Sequence, residues 1–88
     1  MKILKFYANW CIPCKKLDQV LTGFDTVPIE KINIEERSDY VQKYQIRNVP
    51  TLILVDSEGQ ELKRFQRVIS KEDLSTRLQT FFENNREH

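Results

Sequence analysis

Both cysteines of the chain, Cys11 and Cys14, lie three positions apart. They follow an apolar run over residues 3–8, which predicts a strand, and they precede apolar residues at helical spacing. Two side chains three apart on a first helical turn lie on one face, roughly 5–6 Å apart, which suits a disulfide. The positive end of the helix dipole stabilises a thiolate there, and Pro13 suits an early helical position. The chemistry that this pattern favours is reversible dithiol–disulfide exchange.

The length and charge of the chain limit the classes of function that it can have. Its 88 residues suffice for one domain, which we expect to span residues 1–88. The net charge of +1 gives no reason to expect nucleic acid or a membrane surface as the main partner. No apolar stretch approaches the roughly 20 residues of a membrane span, and the first residues lack the apolar segment of a secretory signal. We therefore expect a cytoplasmic monomer that binds neither nucleic acid nor membrane.

A metal-binding or purely structural role for the cysteines has less support than redox chemistry. A zinc site normally needs four ligands, and only Cys11, Cys14 and His88 are candidates of the usual kind. A bridge that closes such a short loop constrains the unfolded chain little, so it adds little stability. The sequence therefore predicts no metal site, and no cofactor beyond the redox-active Cys11–Cys14 disulfide itself.

The predicted elements follow the order β-α-β-α-β-β-α. Strands are expected over residues 2–8, 27–34, 52–55 and 60–66, and helices over 11–24, 36–44 and from residue 70 to about residue 82, followed by a polar tail. The first two strands, with a helix between them, form a β-α-β unit with parallel strands. Ser70 and Asp73 have the spacing of a helix-capping pair. Lys5 is a charge within the first strand, so either its amine reaches solvent over a buried stem or it lies close to the active site.

Two motifs together indicate a family. The first, WCIPCK over residues 10–15, follows the first strand, and the second, VPT over residues 49–51, precedes the third. With these motifs in this order of elements, the chain resembles the thioredoxin family over essentially its whole length. The resemblance implies an α/β protein with a minimal thioredoxin fold, in which helices flank both faces of a central four-stranded mixed sheet. Full-length thioredoxins have a further strand and helix before this point, so the resemblance implies that we should expect a trimmed version the size of a glutaredoxin.

The resemblance also implies roles for the residues of both motifs. Cys11, at the exposed tip of the helix, would attack a substrate disulfide, and Cys14 would resolve the mixed disulfide. Pro50 would be a cis-proline that faces the cysteine pair. The backbone of Val49 would pair with an extended segment of the substrate, as a strand added to an edge. Trp10 would form part of the apolar rim.

The dipeptide between the cysteines departs from the family pattern. It is Ile12-Pro13, where thioredoxins usually have Gly-Pro. We expect both residues to lie on the substrate-binding surface beside Cys11. Ile12 is β-branched and stiff, and it enlarges the apolar surface there, so it is expected to change partner choice or the reduction potential.

A second departure concerns the charges near the cysteines. Thioredoxins commonly carry a buried aspartate six residues before the first cysteine; that position is Lys5 here, and Lys31 matches the lysine that usually neighbours it. Two lysines near one buried site repel, which lowers the pKa of at least one of them. We hypothesise that Lys5 stabilises the thiolate forms and that proton removal from Cys14 no longer uses a carboxylate. The alternative is that Lys5 reaches solvent and has no effect on the thiols.

Three functions agree with these residues. The first, which we predict, is reduction of disulfides in protein substrates, with a thioredoxin-reductase-like flavoenzyme as the electron donor. The second is a glutaredoxin-like reductase that uses glutathione, although the residues after Thr51 lack the paired glycines that glutaredoxins use for it. The third is a non-enzymatic binding module on the same fold, against which the two intact cysteines argue.

Overall fold

A four-stranded mixed sheet runs through the protein, whose structure is a computed structural model that describes residues 1–85. The elements in chain order are β1 (Lys2–Tyr7), α1 (Ile12–Val20), β2 (Ile29–Asn33), α2 (Ser38–Lys43), β3 (Thr51–Val55), β4 (Glu61–Phe65) and α3 (Lys71–Asn85). The strand order is β2-β1-β3-β4. β1 is parallel to β2 and antiparallel to β3, and β3 is antiparallel to β4. The predicted order of elements, the mixed sheet and the parallel β-α-β unit are confirmed.

Helices cover both faces of the sheet because its central strands are apolar on both sides. All five residues of β3 are buried. On one face, Leu17 of α1 and Leu74 of α3 pack in a cluster with Ile3 of β1. On the other face, Tyr44 at the end of α2 packs in a cluster with Phe6 of β1. Burial of side chains of this size contributes roughly 1.5–3 kcal/mol each, and it fixes α1 over β1.

The first helix ends earlier than the apolar spacing predicts. α1 ends at Val20, whereas the prediction extended it to residue 24. The N–H of Thr22 donates to the C=O of Gln19 at 3.3 Å. This bond joins residues three apart, as in a 3₁₀ turn, whereas an α-helix joins residues four apart. Gly23 then adopts a left-handed conformation with φ of +84°, which glycine favours and which ends the helical path. The remaining elements begin and end within two residues of the predicted bounds, apart from the end of α3.

The last helix begins as predicted and ends later. The N–H of Asp73 donates to Ser70 Oγ at 3.1 Å, so Ser70 caps α3. The polar tail predicted after residue 82 is wrong for its first part, because α3 continues to Asn85. There, the side-chain amide of Asn85 donates to the C=O of Phe81 at 2.7 Å. The remainder of that tail, with the candidate ligand His88, lies outside the described residues.

Candidate active site

The cysteine pair lies between the end of β1 and the first turn of α1. Cys11 is the N-cap residue of α1, and Cys14 is a buried residue of its first turn. The two are joined in a disulfide, with their Cα atoms 5.3 Å apart. The backbone N–H of Cys14 donates to Cys11 Sγ at 3.1 Å. In the dithiol form, this donor and the positive end of the helix favour a thiolate on Cys11.

Neither cysteine is exposed in this disulfide form. Cys11 and Cys14 are each 3% exposed and form one buried cluster with Ala8, which we call the cysteine cluster. The prediction of an exposed Cys11 is therefore wrong here, because its sulfur turns back over the first helical turn to accept the hydrogen bond from Cys14. The flanking side chains are exposed instead, Trp10 at 65% and Ile12 at 70%. A partner that reaches the Cys11 sulfur must contact this apolar rim.

The segment over residues 49–51 packs against the cysteine cluster. The Val49–Pro50 peptide bond is cis, the geometry that the resemblance implied, and Pro50 is buried. Val49 packs against the cysteine cluster, and Thr51 Oγ1 donates to the C=O of Asn48 at 2.7 Å. Within residues 1–85, neither the N–H nor the C=O of Val49 has a hydrogen-bond partner. Both groups therefore remain available to an extended chain that pairs beside the cysteines.

A groove of about 310 Å³ opens beside this segment. Its lining residues are Trp10, Ile34, Val41, Ile46, Arg47, Asn48 and Val49. Of the predicted substrate-binding residues, Trp10 and Val49 line this groove. Ile12 and Pro13 lie on the exposed surface of the first helical turn, and Pro50 lies in the interior. The structure therefore places three of the five predicted contacts outside the groove.

The sequence analysis did not predict two residues that line the groove, one apolar and one charged. Ile34 directly follows β2, and the parallel pairing of Tyr7 with Asn33 brings the ends of β1 and β2 to the same edge of the sheet. The predicted β-α-β unit contained this signal. Arg47 is exposed and makes no salt bridge within the described part of the chain. It adds a positive charge to the groove that no apolar pattern indicates.

Three charged residues meet where α1 crosses β1 and β2. Lys5 Nζ contacts Asp18 Oδ1, and Lys31 Nζ lies 3.5 Å from Oδ2 of the same carboxylate. The side chain of Lys5 is only 6% exposed, whereas that of Lys31 is 56% exposed. The alternative in which the Lys5 amine reaches solvent is therefore wrong, because the amine is buried against the partly exposed carboxylate of Asp18. We call Lys5, Asp18 and Lys31 the charge cluster.

Burial is the main cause that lowers the pKa of Lys5 to about 8, and the charge of Lys31 is the second. The predicted repulsion between the two lysines thus has the right direction but is the smaller effect. Asp18 acts in the opposite sense, since a neighbouring carboxylate favours the ammonium. Sequence reasoning missed Asp18, although its position four residues after Cys14 places both on one helix face. A carboxylate is thus present near the pair, on α1 instead of β1.

Within residues 1–85, no helix is long and apolar enough to cross a membrane. In the same part of the chain, no three His, Cys, Asp or Glu side chains come together in a group that suits a metal ion.

Residues 1–80 match the family model described as Thioredoxin. The thioredoxin of Chlamydia pneumoniae is 36% identical to this chain over 77 residues, which are 83% of this chain and 74% of that protein. The chain belongs to the thioredoxin family. Because its cysteines form the CxxC pair of a thioredoxin, it is a thiol–disulfide oxidoreductase, as predicted from the sequence.

Further thioredoxins support the same assignment. The thioredoxin of Alicyclobacillus acidocaldarius is 32% identical over 81 residues, which cover 86% of this chain and 76% of that protein. The solved structure of thioredoxin 1 from Thermosipho africanus has a TM-score of 0.72 at 31% identity, and the match covers 98% of this chain and 99% of that one. The predicted thioredoxin fold is therefore confirmed.

Proposed function

We propose that this protein reduces disulfides in protein substrates, with Cys11 as the attacking residue and Cys14 as the resolving residue. The observation that carries the proposal is the hydrogen bond from the Cys14 N–H to Cys11 Sγ at the amino end of α1. Within residues 1–85, no donor makes a corresponding bond to the sulfur of Cys14. Negative charge is therefore more stable on Cys11, which makes its sulfur the stronger candidate for the first attack.

The reaction moves two electrons from the dithiol to the substrate. The Cys11 thiolate attacks one sulfur of the substrate disulfide, and the other substrate sulfur leaves as a thiolate that takes a proton from water. The Cys14 thiol then gives its proton to water, and its thiolate attacks Cys11 Sγ, while the departing substrate thiolate takes a proton from water. A bond forms between the two cysteine sulfurs, and the bond from Cys11 to the substrate breaks, which releases the second substrate thiol. The product is the disulfide form that the structure holds.

The surface around the pair suits an extended polypeptide. The exposed side chains of Trp10 and Ile12 offer apolar contact next to Cys11. The N–H and C=O groups of Val49, which have no partner within residues 1–85, offer two main-chain hydrogen bonds. The groove beside Val49 has room for one substrate side chain. We infer that substrates present a disulfide within an extended segment that carries an apolar residue.

The electron donor in this proposal is a thioredoxin-reductase-like flavoenzyme, and the setting is the cytoplasm. Family membership supports a reductase partner of this kind in general terms. The choice is tested by supplying electrons either from such a flavoenzyme with NADPH or from glutathione with glutathione reductase. Faster reduction of the Cys11–Cys14 disulfide by glutathione would contradict the choice of donor while leaving the reaction itself intact.

Reduction of insulin by dithiothreitol tests the reaction. We expect the wild-type protein to accelerate insulin precipitation and Cys11→Ser to abolish the acceleration. Reduced Cys14→Ser, mixed with insulin after dithiothreitol has been removed, should accumulate a mixed disulfide through Cys11 that mass spectrometry detects. Ser57→Ala, an exposed position in the turn before β4, serves as the control and should match the wild type. The proposal fails if the wild-type rate equals that of dithiothreitol alone. The assignment of roles fails if the trapped adduct forms on Cys14 of the Cys11→Ser variant instead.

A further inference from the structure

The charge cluster lies close to the sulfur of Cys14. Asp18 follows Cys14 by four residues in α1, so their Cβ atoms lie roughly 5–6 Å apart on one helix face. Because a helical side chain leans toward the amino end, the Asp18 carboxylate and the Lys5 ammonium that contacts it lie toward the turn that holds Cys14. On β1, Lys5 shares a face with Tyr7, which packs against the cysteine cluster. Both elements thus place the Lys5 ammonium on the order of 10 Å from the Cys14 sulfur.

The surroundings of Cys14 make a charge at this distance effective. Cys14 is 3% exposed, and the residues that pack around the cysteine cluster are Tyr7, Ile34 and Val49. The charged groups on the elements packed around it are Lys2 and Lys5 on β1, Lys15, Lys16 and Asp18 on α1, Glu30 and Lys31 on β2, and Arg47 before β3. Among these cations, only Lys5 is buried, so water screens its field least. With both lysines protonated and Asp18 ionised, the charge cluster carries a net positive charge.

We propose that the charge cluster stabilises the Cys14 thiolate and thereby shifts the equilibrium of the Cys11–Cys14 pair toward the dithiol. The proposal rests on the proposed function, since it concerns the reduction potential of the cysteine pair that carries out that reaction. Lys5 supplies the charge that acts on the sulfur. Asp18 is a positioning residue, because its buried Oδ1 holds the ammonium inside the protein. Stabilising the thiolate stabilises the reduced form of the pair, which raises its reduction potential. The disulfide is then a stronger oxidant and the dithiol a weaker reductant than without the cluster.

The protonation of Lys5 agrees with this role. Its lowered pKa of about 8 still leaves the ammonium as the main form at neutral pH. Between about pH 7 and pH 9 its charge falls, and the stabilisation of the Cys14 thiolate falls with it.

A series of variants that remove one charge after another tests the proposal, because it predicts shifts of opposite direction for the two charges. Lys5→Met removes the buried positive charge and leaves the Asp18 carboxylate, so the pKa of the Cys14 thiol should rise by about one unit, for one charge at roughly 10 Å in an effective dielectric of ~20. Where the pH is high enough for the Cys14 thiolate to be the main form of the dithiol, the exchange constant with glutathione should shift up to about tenfold toward the disulfide, which corresponds to a potential ~30 mV lower. Adding Asp18→Asn to Lys5→Met removes that carboxylate and should reverse at least half of both shifts. A packing role of Lys5 predicts no such reversal.

Two measurements follow the series. ¹³C NMR titration in a Cys11→Ser background gives the pKa of the Cys14 thiol, and equilibration with glutathione buffers gives the potential of the intact pair. Lys63→Met, which removes an exposed lysine of β4, and Lys5→Met with Asp39→Asn, which removes an exposed carboxylate, are the matched controls. Circular dichroism checks folding, and Lys5→Gln replaces Lys5→Met if the methionine variant unfolds.

The outcomes separate this proposal from the proposed function. Opposite shifts in the single and double variants, with both controls inside a twofold change, support it. The proposal is overturned if Lys5→Met changes neither quantity by more than twofold, if Asp18→Asn does not reverse the change, or if the controls move as far. Failure of insulin reduction by the wild-type protein would instead contradict the proposed function, because the pKa and the potential are measured without any protein substrate.

Discussion

Replacing Lys5 by methionine should change how the stability of this protein depends on pH. Burial, and second the charge of Lys31, lower the pKa of Lys5 from its ordinary value of 10.5 to about 8. Between these values the unfolded chain holds a proton that the folded protein does not. A rise in pH across this window therefore favours the folded protein, and a fall through about pH 8 restores the buried ammonium and its cost. Methionine has no such proton, so the variant lacks this dependence.

The size of the effect follows from the width of the window. The window spans about 2.5 pH units, and each unit is worth about 1.4 kcal/mol. Across it, from about pH 8 to pH 10.5, the wild-type free energy of unfolding should therefore increase by about 3 kcal/mol relative to that of Lys5→Met. This value is a ceiling, since the contact with Asp18 stabilises the ammonium and narrows the window.

Urea unfolding of the oxidised protein at pH 7.5, 8.5, 9.5 and 10.5 measures the difference directly, and the closed disulfide keeps the thiols from titrating. The free energy of unfolding of the wild type minus that of Lys5→Met should increase at each step. Lys63→Met controls for the loss of an exposed lysine on β4. A difference between the wild type and Lys5→Met that stays constant, or that shrinks as pH rises, would refute the account of Lys5 as a buried group with a lowered pKa.

Three further substitutions test the fold and the rim. Leu17→Ala opens a cavity beneath α1, because Leu17 is fully buried, and it should cost about 2–5 kcal/mol in urea unfolding; a cost below 1 kcal/mol would contradict that packing. Ser70→Ala removes the cap of α3 and should cost about 1 kcal/mol, which thermal unfolding detects. Trp10→Ala should raise the KM for insulin while leaving stability within about 0.5 kcal/mol, since Trp10 is exposed; an unchanged KM would remove it from the substrate surface.

The elements were predictable from the sequence because their signals are local, and the error at the end of α1 shows the limit of such signals. Leu21 and Phe24 continue the apolar spacing of the helix, yet both lie beyond its last residue, Val20. They still pack into the core with Leu17, because the turn that ends the helix also directs side chains inward. The spacing of apolar residues predicts which side chains are buried, but it does not predict the residue at which the helical hydrogen bonds end.

The active site likewise contains residues that the sequence predicts and a contact that it does not predict. Cys11 and Cys14 are close in sequence, so their chemistry is readable from spacing, and the family motif at Val49 adds the segment that faces them. Asp18 is different, because its contact with Lys5 depends on how α1 crosses β1. A charged residue in the middle of a buried strand therefore signals an unknown partner, which only the packing of the other elements identifies.

The double variant Lys5→Met with Asp18→Asn asks whether the fold needs the charge cluster at all. A buried ammonium loses much hydration, and replacing a buried charged pair by uncharged groups is often neutral or stabilising by about 1–4 kcal/mol. The Asp18 side chain is 39% exposed and its carboxylate lies 3.5 Å from Lys31 Nζ, so Lys5→Met does not leave that carboxylate buried and unpaired. We therefore expect both the double variant and Lys5→Met to match or exceed the wild type in urea unfolding at pH 7. A double variant less stable than Lys5→Met would show that Asp18 supports α1 by another contact. If both variants match the wild type, stability does not account for a lysine buried near Cys14, and the proposed effect of its charge on the Cys14 thiolate is then the role that the charge-removal variants test.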